Sequence, residues 1–325
     1  MIPETFQTQP LLSEGQPSFD ALSRCLLTLP DRPGMQLSVY YAPARHSPAV
    51  GTVLLVPGFL QPAYCWRKQI LPLTEAGWNV LTWDPSWSLQ GGWTESLGCW
   101  TAELATVLAA SPFSAHLPVV LVGWSLGGVL VGELLRQSPR RPTIAGLVFV
   151  GTPLFLERLA EVFTGTGTDA PAPFDLSEPL TAQWLVRFTT GLTMNPPAFG
   201  EFERHLGGSC LALTRLLESV DEQRLSLASL LPPLPAAQAR ESIPWHHFRL
   251  PTLIIHGESD RLVPQMLAHQ IARQLEDAGA TVTLSLYPTG HAPFIEEPER
   301  FNRDLTVFLR QHCCHSSSTP IRLPV

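Results

Sequence analysis

Lysine is nearly absent from this 325-residue chain: Lys68 is the only one, and arginine supplies the other basic charges. The formal net charge is -7, which excludes a nucleic-acid binder that works through overall positive charge. Charged residues make up only 15% of the chain against 45% hydrophobic. Global disorder is thereby excluded and a sizeable core is expected. The six cysteines (Cys25, Cys65, Cys99, Cys210, Cys313 and Cys314) include no CxxC pair, so no disulfide framework or paired-cysteine metal site is expected. His312-Cys313-Cys314-His315 places its ligands too close together to wrap one tetrahedral ion, and it falls in a stretch, 312–325, read as a flexible tail. The start of the chain lacks a basic region followed by an apolar run, and no apolar stretch is long enough to cross a bilayer. A cytoplasmic, monomeric protein without membrane or nucleic-acid partners is expected. No internal repeat is visible.

Apolar runs and turn signals are what the chain does contain. Its 32 prolines cluster in loops and stiffen them. After an irregular segment, 1–21, residues 24–29 and 36–41 read as strands of a hairpin turned by Pro30-Asp31-Arg32-Pro33-Gly34. Continuous apolar runs at 51–56, 78–83, 117–122, 145–150 and 251–256 read as buried parallel strands. Helices are expected at 66–76, 95–110, 129–136, 264–278 (stopped by Gly279) and 298–311, and an edge-side strand at 281–287. This alternation predicts an α/β fold with a mostly parallel central sheet and helices on both faces. It halts between 153 and 246, where helix-like spacing returns at 157–163, 180–192, 199–217 and 221–231. The expected organisation is a core in two parts, 22–152 and 247–311, with 153–246 inserted as a helical lid that excludes water from a site beneath it.

The site is expected around Gly123-Trp124-Ser125-Leu126-Gly127-Gly128. A strand, a G-x-S-x-G turn and a helix in succession push a serine hydroxyl out above the sheet. Gly123 and Gly127 leave room for the tight crossing. A serine needs an imidazole to take its proton and a carboxylate to orient that imidazole. Open α/β sheets gather such groups at the carboxyl ends of their strands. His291 follows the strand ending at Tyr287. Asp260, or alternatively Glu258, follows the strand ending at His256. His256 precedes the acid and is read as structural, and the remaining histidines as surface or packing residues. The amides of Leu126 and Phe59 are the candidate donors of an oxyanion hole.

These motifs resemble the α/β-hydrolases over nearly all of 22–311, in the order Ser125, Asp260, His291. More narrowly, 123–128, Asp260-Arg261-Leu262-Val263-Pro264 and Gly290-His291-Ala292-Pro293-Phe294-Ile295-Glu296-Glu297-Pro298 resemble the pimeloyl-acyl-carrier-protein methyl ester esterases of biotin synthesis. The chain departs from that pattern with Pro57 before Gly58, and with Asp84-Pro85-Ser86-Trp87-Ser88 in place of a glycine- and serine-rich loop. The resemblance implies a serine carboxylesterase that uses no metal or organic cofactor. Ser125, Asp260 and His291 would be catalytic, and Trp124, Phe59, Leu126 and Phe188 would line the acyl pocket. The substrate would be an acyl ester carried on an acidic acyl-carrier protein. Arg136, Arg140, Arg141 and Arg158, near the lid base, are the candidate docking residues. A general esterase, lipase-like enzyme, thioesterase or perhydrolase with the same triad, and a non-catalytic binding protein, are the competing expectations.

Overall fold

The computed structural model describes residues 22–87, 92–111, 116–137, 144–154, 178–179, 182–194 and 245–313. Eight strands form a single sheet in the order β1-β2-β4-β3-β5-β6-β7-β8. β1 (Ser23–Leu29) and β2 (Arg32–Ala42) pair antiparallel, and β2 pairs antiparallel with β4 (Trp78–Trp83). β3 (Gly51–Val56), β4, β5 (Val119–Trp124), β6 (Ile144–Val150), β7 (Thr252–Gly257) and β8 (Val282–Tyr287) run parallel. Every residue of β3, β4, β5 and β7 is buried. That is why these strands read as continuous apolar runs: helices cover the sheet on both sides, leaving no polar face to alternate with. β8 pairs on one side only, and its burial is partial.

The hairpin differs from expectation. Its turn is Pro30-Asp31, and Pro33 and Gly34 lie within β2. The pairing jumps from Thr28↔Gln36 to Leu29↔Arg32, so Pro33, Gly34 and Met35 bulge out of the ladder. A proline costs no ladder hydrogen bond in a bulge.

The helices follow their apolar spacing. α1 (Arg67–Glu75) is preceded by a 3₁₀ turn at Ala63–Trp66, and α2 (Gly92–Ala109) and α3 (Leu126–Gln137) follow in turn. α4 (Ala182–Gly191) belongs to the inserted segment; the other helices expected there, at 157–163, 199–217 and 221–231, lie outside the described residues. α5 (Gln265–Asp277) buries Leu267, Ala268, Ile271, Ala272 and Leu275, one face of a 3.6-residue period. It ends at Gly279, φ 91°, where Gly279 N–H bonds Glu276 O and Ala280 N–H bonds Leu275 O, a left-handed cap that satisfies the last carbonyls. A short helix α6 (Pro293–Glu296) leads into α7 (Pro298–Phe308). The end of α7 is a correction. The chain continues through a π-helical turn at Leu309–Cys313, and Cys313 is 5% exposed against the core. The boundary expected at 311 falls later because Leu309 and Cys313 carry the buried face onward.

The chain runs from β3 outward to β4 and then returns to place β5 on the other side of β3. The crevice between the loops after β3 and β5 is the topological switch point, where open α/β sheets bind ligands.

Candidate active site

Ser125 directly follows β5 with φ at +53°, a left-handed conformation that costs a non-glycine residue about 1 kcal/mol or more. Its surroundings hold it there. Ser125 N–H bonds Val150 O at 2.8 Å, and Ser125 O accepts from Gly128 N–H at 3.0 Å and Thr152 Oγ1 at 2.9 Å. The flanking glycines are required by space. A Cβ on Gly123 would stand 2.5 Å from Gly128 Cα, and one on Gly127 would stand 2.5 Å from Val56 O. A Cβ on Gly128 would meet Thr152 Oγ1 at 2.4 Å, a constraint set by a residue distant in sequence.

Asp260 follows β7 and His291 follows β8. The Asp260 side chain is fully buried. Its Oδ1 accepts the N–H groups of Leu262 at 2.8 Å and Val263 at 2.9 Å, and its Oδ2 lies 2.7 Å from His291 Nδ1. Burial alone would raise the Asp260 pKa, but the charge and hydrogen bond of His291, with His256 and the Val263 amide, hold it below the ordinary carboxylate range. Glu258, the alternative acid, is exposed; the carboxylate on His291 is that of Asp260. In the neutral imidazole, Nδ1–H directed at Asp260 leaves the lone pair on Nε2. His291 Nε2 is buried and has no hydrogen-bond partner among the described residues. His256 is fully buried beside this pair, with Nε2 2.8 Å from Val263 O and 3.5 Å from Asp260 Oδ2. Burial pushes its pKa down, which favours the neutral imidazole.

Ser125 and His291 line one cleft. The loop after β3 contributes Gly58, Phe59 and Gln61, the elbow adds Trp124 and Leu126, α4 adds Phe188 and Leu192, and the loop after β7 adds Leu262 and Val263. The structure therefore brings Ser125, His291, Phe59, Trp124, Leu126 and Phe188 together, with Asp260 behind His291. Gln61, Leu192, Leu262 and Val263 are cleft residues that the sequence does not single out as such. Only Leu262 and Val263, next to Asp260, carried a local signal.

The loop after β4 props the loop after β3. Asp84 accepts Ala63 N–H at 2.8 Å and Tyr40 O–H at 2.8 Å. Trp87 donates its indole N–H to Gln61 O at 3.2 Å and meets Phe59 edge-on, ring centroids 5.6 Å apart. Glu103 of α2 holds this loop in turn, accepting Ser86 N–H at 3.0 Å and pairing with Arg32 at 2.9 Å. Burial raises the pKa of both Asp84 and Glu103. This loop fixes the chain that carries the Phe59 amide.

The model of the alpha/beta hydrolase family matches residues 53–304. The chain belongs to that family. Among curated proteins this hydrolase is 30% identical over 190 residues to a pimeloyl-[acyl-carrier protein] methyl ester esterase of Aromatoleum aromaticum, covering 55% of this chain and 69% of the relative. It is 28% identical over 208 residues to a protein of the same name from Serratia marcescens, covering 63% and 74%. Among solved structures it resembles a putative aryl esterase from Burkholderia cenocepacia, with a TM-score of 0.59 and 24% identity over 89% of this chain and 98% of that one. It also resembles a bromoperoxidase from Bacillus anthracis, with a TM-score of 0.60 and 21% identity over 89% and 100%. At these identities the structural matches establish the fold.

Of the arginines considered for docking, Arg136 sits in the last turn of α3 and pairs with Glu133 on the exposed surface of the hydrolase. Arg140, Arg141 and Arg158 lie outside the described residues. Among the described residues no group of three His, Cys, Asp or Glu side chains could hold a metal ion, and no helix is long and apolar enough to cross a membrane.

Proposed function

We propose that this hydrolase cleaves carboxylic esters through a Ser125–His291–Asp260 triad. One observation carries the reading: His291, whose Nδ1 lies 2.7 Å from Asp260 Oδ2 and whose Nε2 has no hydrogen-bond partner among the described residues, lines the same cleft as Ser125. Ser125 Oγ attacks the ester carbonyl carbon as Nε2 takes its proton. The Leu126 and Phe59 amides receive the resulting oxyanion. Collapse of the tetrahedral intermediate breaks the bond to the alkoxy oxygen, and Nε2–H protonates the leaving alcohol. Water then attacks the acyl-enzyme, with Nε2 as base, and releases the carboxylic acid. Asp260 stays ionised throughout and holds the imidazole tautomer. The inserted segment 153–246 acts as a lid, for which α4 over the cleft is the support.

Within that reading the substrate is the methyl ester of pimeloyl-acyl-carrier protein, and the setting is cytoplasmic biotin synthesis. The names of the curated relatives support it. So does a cleft whose described lining carries no Lys, Arg, Asp or Glu, which suits an uncharged ester and an apolar acyl chain. A carrier protein is acidic and this chain carries -7, so docking requires arginines gathered on one face. The test is growth rescue of a biotin-requiring bacterium that lacks its own esterase, together with kinetics on a carrier-linked methyl ester and a short p-nitrophenyl ester. Rescue, with Arg136→Glu/Arg140→Glu raising KM for the carrier-linked ester alone, is the expected result. Hydrolysis of the short ester with no rescue would make the protein a general esterase.

A further inference from the structure

The cleft wall supplied by α4 and the loop that carries His291 share their main-chain hydrogen bonds. His291 N–H donates to Leu192 O at 2.8 Å, just beyond the end of α4. The preceding amide, Gly290 N–H, donates to Glu296 Oε1 at 2.9 Å. The other oxygen of that carboxylate, Oε2, accepts Met194 N–H at 3.0 Å. One carboxylate thus joins the His291 loop to the chain leaving α4, and a direct bond joins them one residue away on the loop and two residues away on the α4 side. Phe188 and Leu192 of the same segment line the cleft that Ser125 lines.

We propose that Glu296 is a positioning residue that couples the seating of α4 over the cleft to the setting of His291. The reasoning is geometric. α4 cannot lift from the cleft without breaking His291 N–H···O Leu192 and Met194 N–H···Oε2 Glu296. Once Met194 withdraws, Glu296 keeps its bond to Gly290 but loses this link to the chain leaving α4, and the amide of His291 has lost its acceptor. A substrate that fills the cleft beneath Phe188 and Leu192 favours the seated state, and it thereby also favours the loop geometry in which Nδ1 meets Asp260. Charge-assisted bonds to a single carboxylate suit such a coupling, because both donors require the ionised acceptor and neither can be replaced by a rotated hydroxyl. The kinetic part of the proposal rests on the reading of His291 as the general base; the coupling itself does not.

The experiment is native-state hydrogen exchange resolved to single amides, on the unmodified protein and on Glu296→Gln. In the unmodified protein the amides of Gly290, His291 and Met194 are expected to exchange with one common protection factor, as members of one opening unit. Protection of Met194 differing from that of His291 by more than about tenfold would overturn the coupling, whether or not the protein hydrolyses esters. Glu296→Gln keeps the shape but presents an NH₂ group to one of the two N–H donors. It should deprotect all three amides together and slow fluorophosphonate labelling of Ser125 by about 10- to 100-fold. Glu297→Gln, on the neighbouring carboxylate, should change neither. In esterase assays kcat should fall while KM stays within about twofold, the split expected when geometry rather than binding is lost. Loosening of Met194 with His291 still protected, or labelling at the unmodified rate, would refute the role. Exchange that behaves as expected in a protein with no esterase activity would leave the coupling standing and remove the proposed function instead.

Discussion

Trp124 donates its indole N–H to the main-chain carbonyl of His291 at 2.8 Å. The residue before the elbow serine therefore fixes the backbone of the histidine that faces it, across a sequence separation of 167 residues. The ring also packs edge-on against Phe294, centroids 4.9 Å apart. We predict that Trp124→Phe, which keeps an aromatic ring but strands a buried carbonyl, lowers stability by about 1–3 kcal/mol. It should also lower turnover by about 10- to 100-fold through displacement of His291. Thermal denaturation and ester kinetics on the purified variant measure both. Unchanged turnover would show that this bond does not set the imidazole.

The left-handed backbone of Ser125 separates stability from activity at one position. Ser125→Gly should be more stable than Ser125→Ala by about 1 kcal/mol, because glycine adopts this φ without strain. Both variants should lose several powers of ten in kcat and all fluorophosphonate labelling. Denaturant titration compares the two. An alanine variant as stable as the glycine one would mean that the turn is not strained.

The elbow was legible in the sequence because strand, turn and helix follow one another directly from Val119 to Gln137, and Gly123 answers to Gly128 close by in the chain. The strand-end positions of Asp260 and His291 followed from the alternation of apolar runs. Long-range contacts were not legible. Gly128 answers to Thr152, Gln61 reaches the cleft through a loop propped by Trp87, and Glu296 reads as an ordinary helix-start acid until Met194 is seen against it. Pro33 and Gly34 misled in the other direction. Their turn chemistry is real, but the pairing of Leu29 with Arg32 absorbs it as a bulge.

For the acid, Asp260→Asn should preserve the fold and lower kcat by about 10⁴-fold, since an amide cannot hold the imidazole in the required tautomer. Glu258→Gln, on an exposed side chain, should stay within about twofold. Circular dichroism and steady-state kinetics on the pair decide it, and a reversed order would identify Glu258 as the functional acid.

The pH dependence of stability carries a signature of His256. Burial lowers its folded-state pKa from 6.5. Below about pH 6.5 the unfolded chain therefore binds a proton that the folded chain refuses, and stability rises with pH through that window. The contribution is complete above it. His256→Asn should flatten the slope of unfolding free energy below pH 6.5 by at most one proton, about 1.4 kcal/mol per pH unit. Denaturant midpoints collected from pH 5 to 8 test this. A variant with the same slope as the unmodified protein would mean that His256 is charged in the fold.

Cys313 bears on how the protein can be handled outside the cell. Its sulfur lies 3.8 Å from Ala145 O, at the beginning of β6, whereas Ser125, Asp260 and His291 follow the far ends of β5, β7 and β8. A bead, chip or fusion partner joined to the chain just after Cys313 is consequently attached at the pole of the sheet opposite the cleft mouth. Immobilised that way, the protein should present its cleft to the bulk solution, and a bulky ester should reach Ser125 without passing the support.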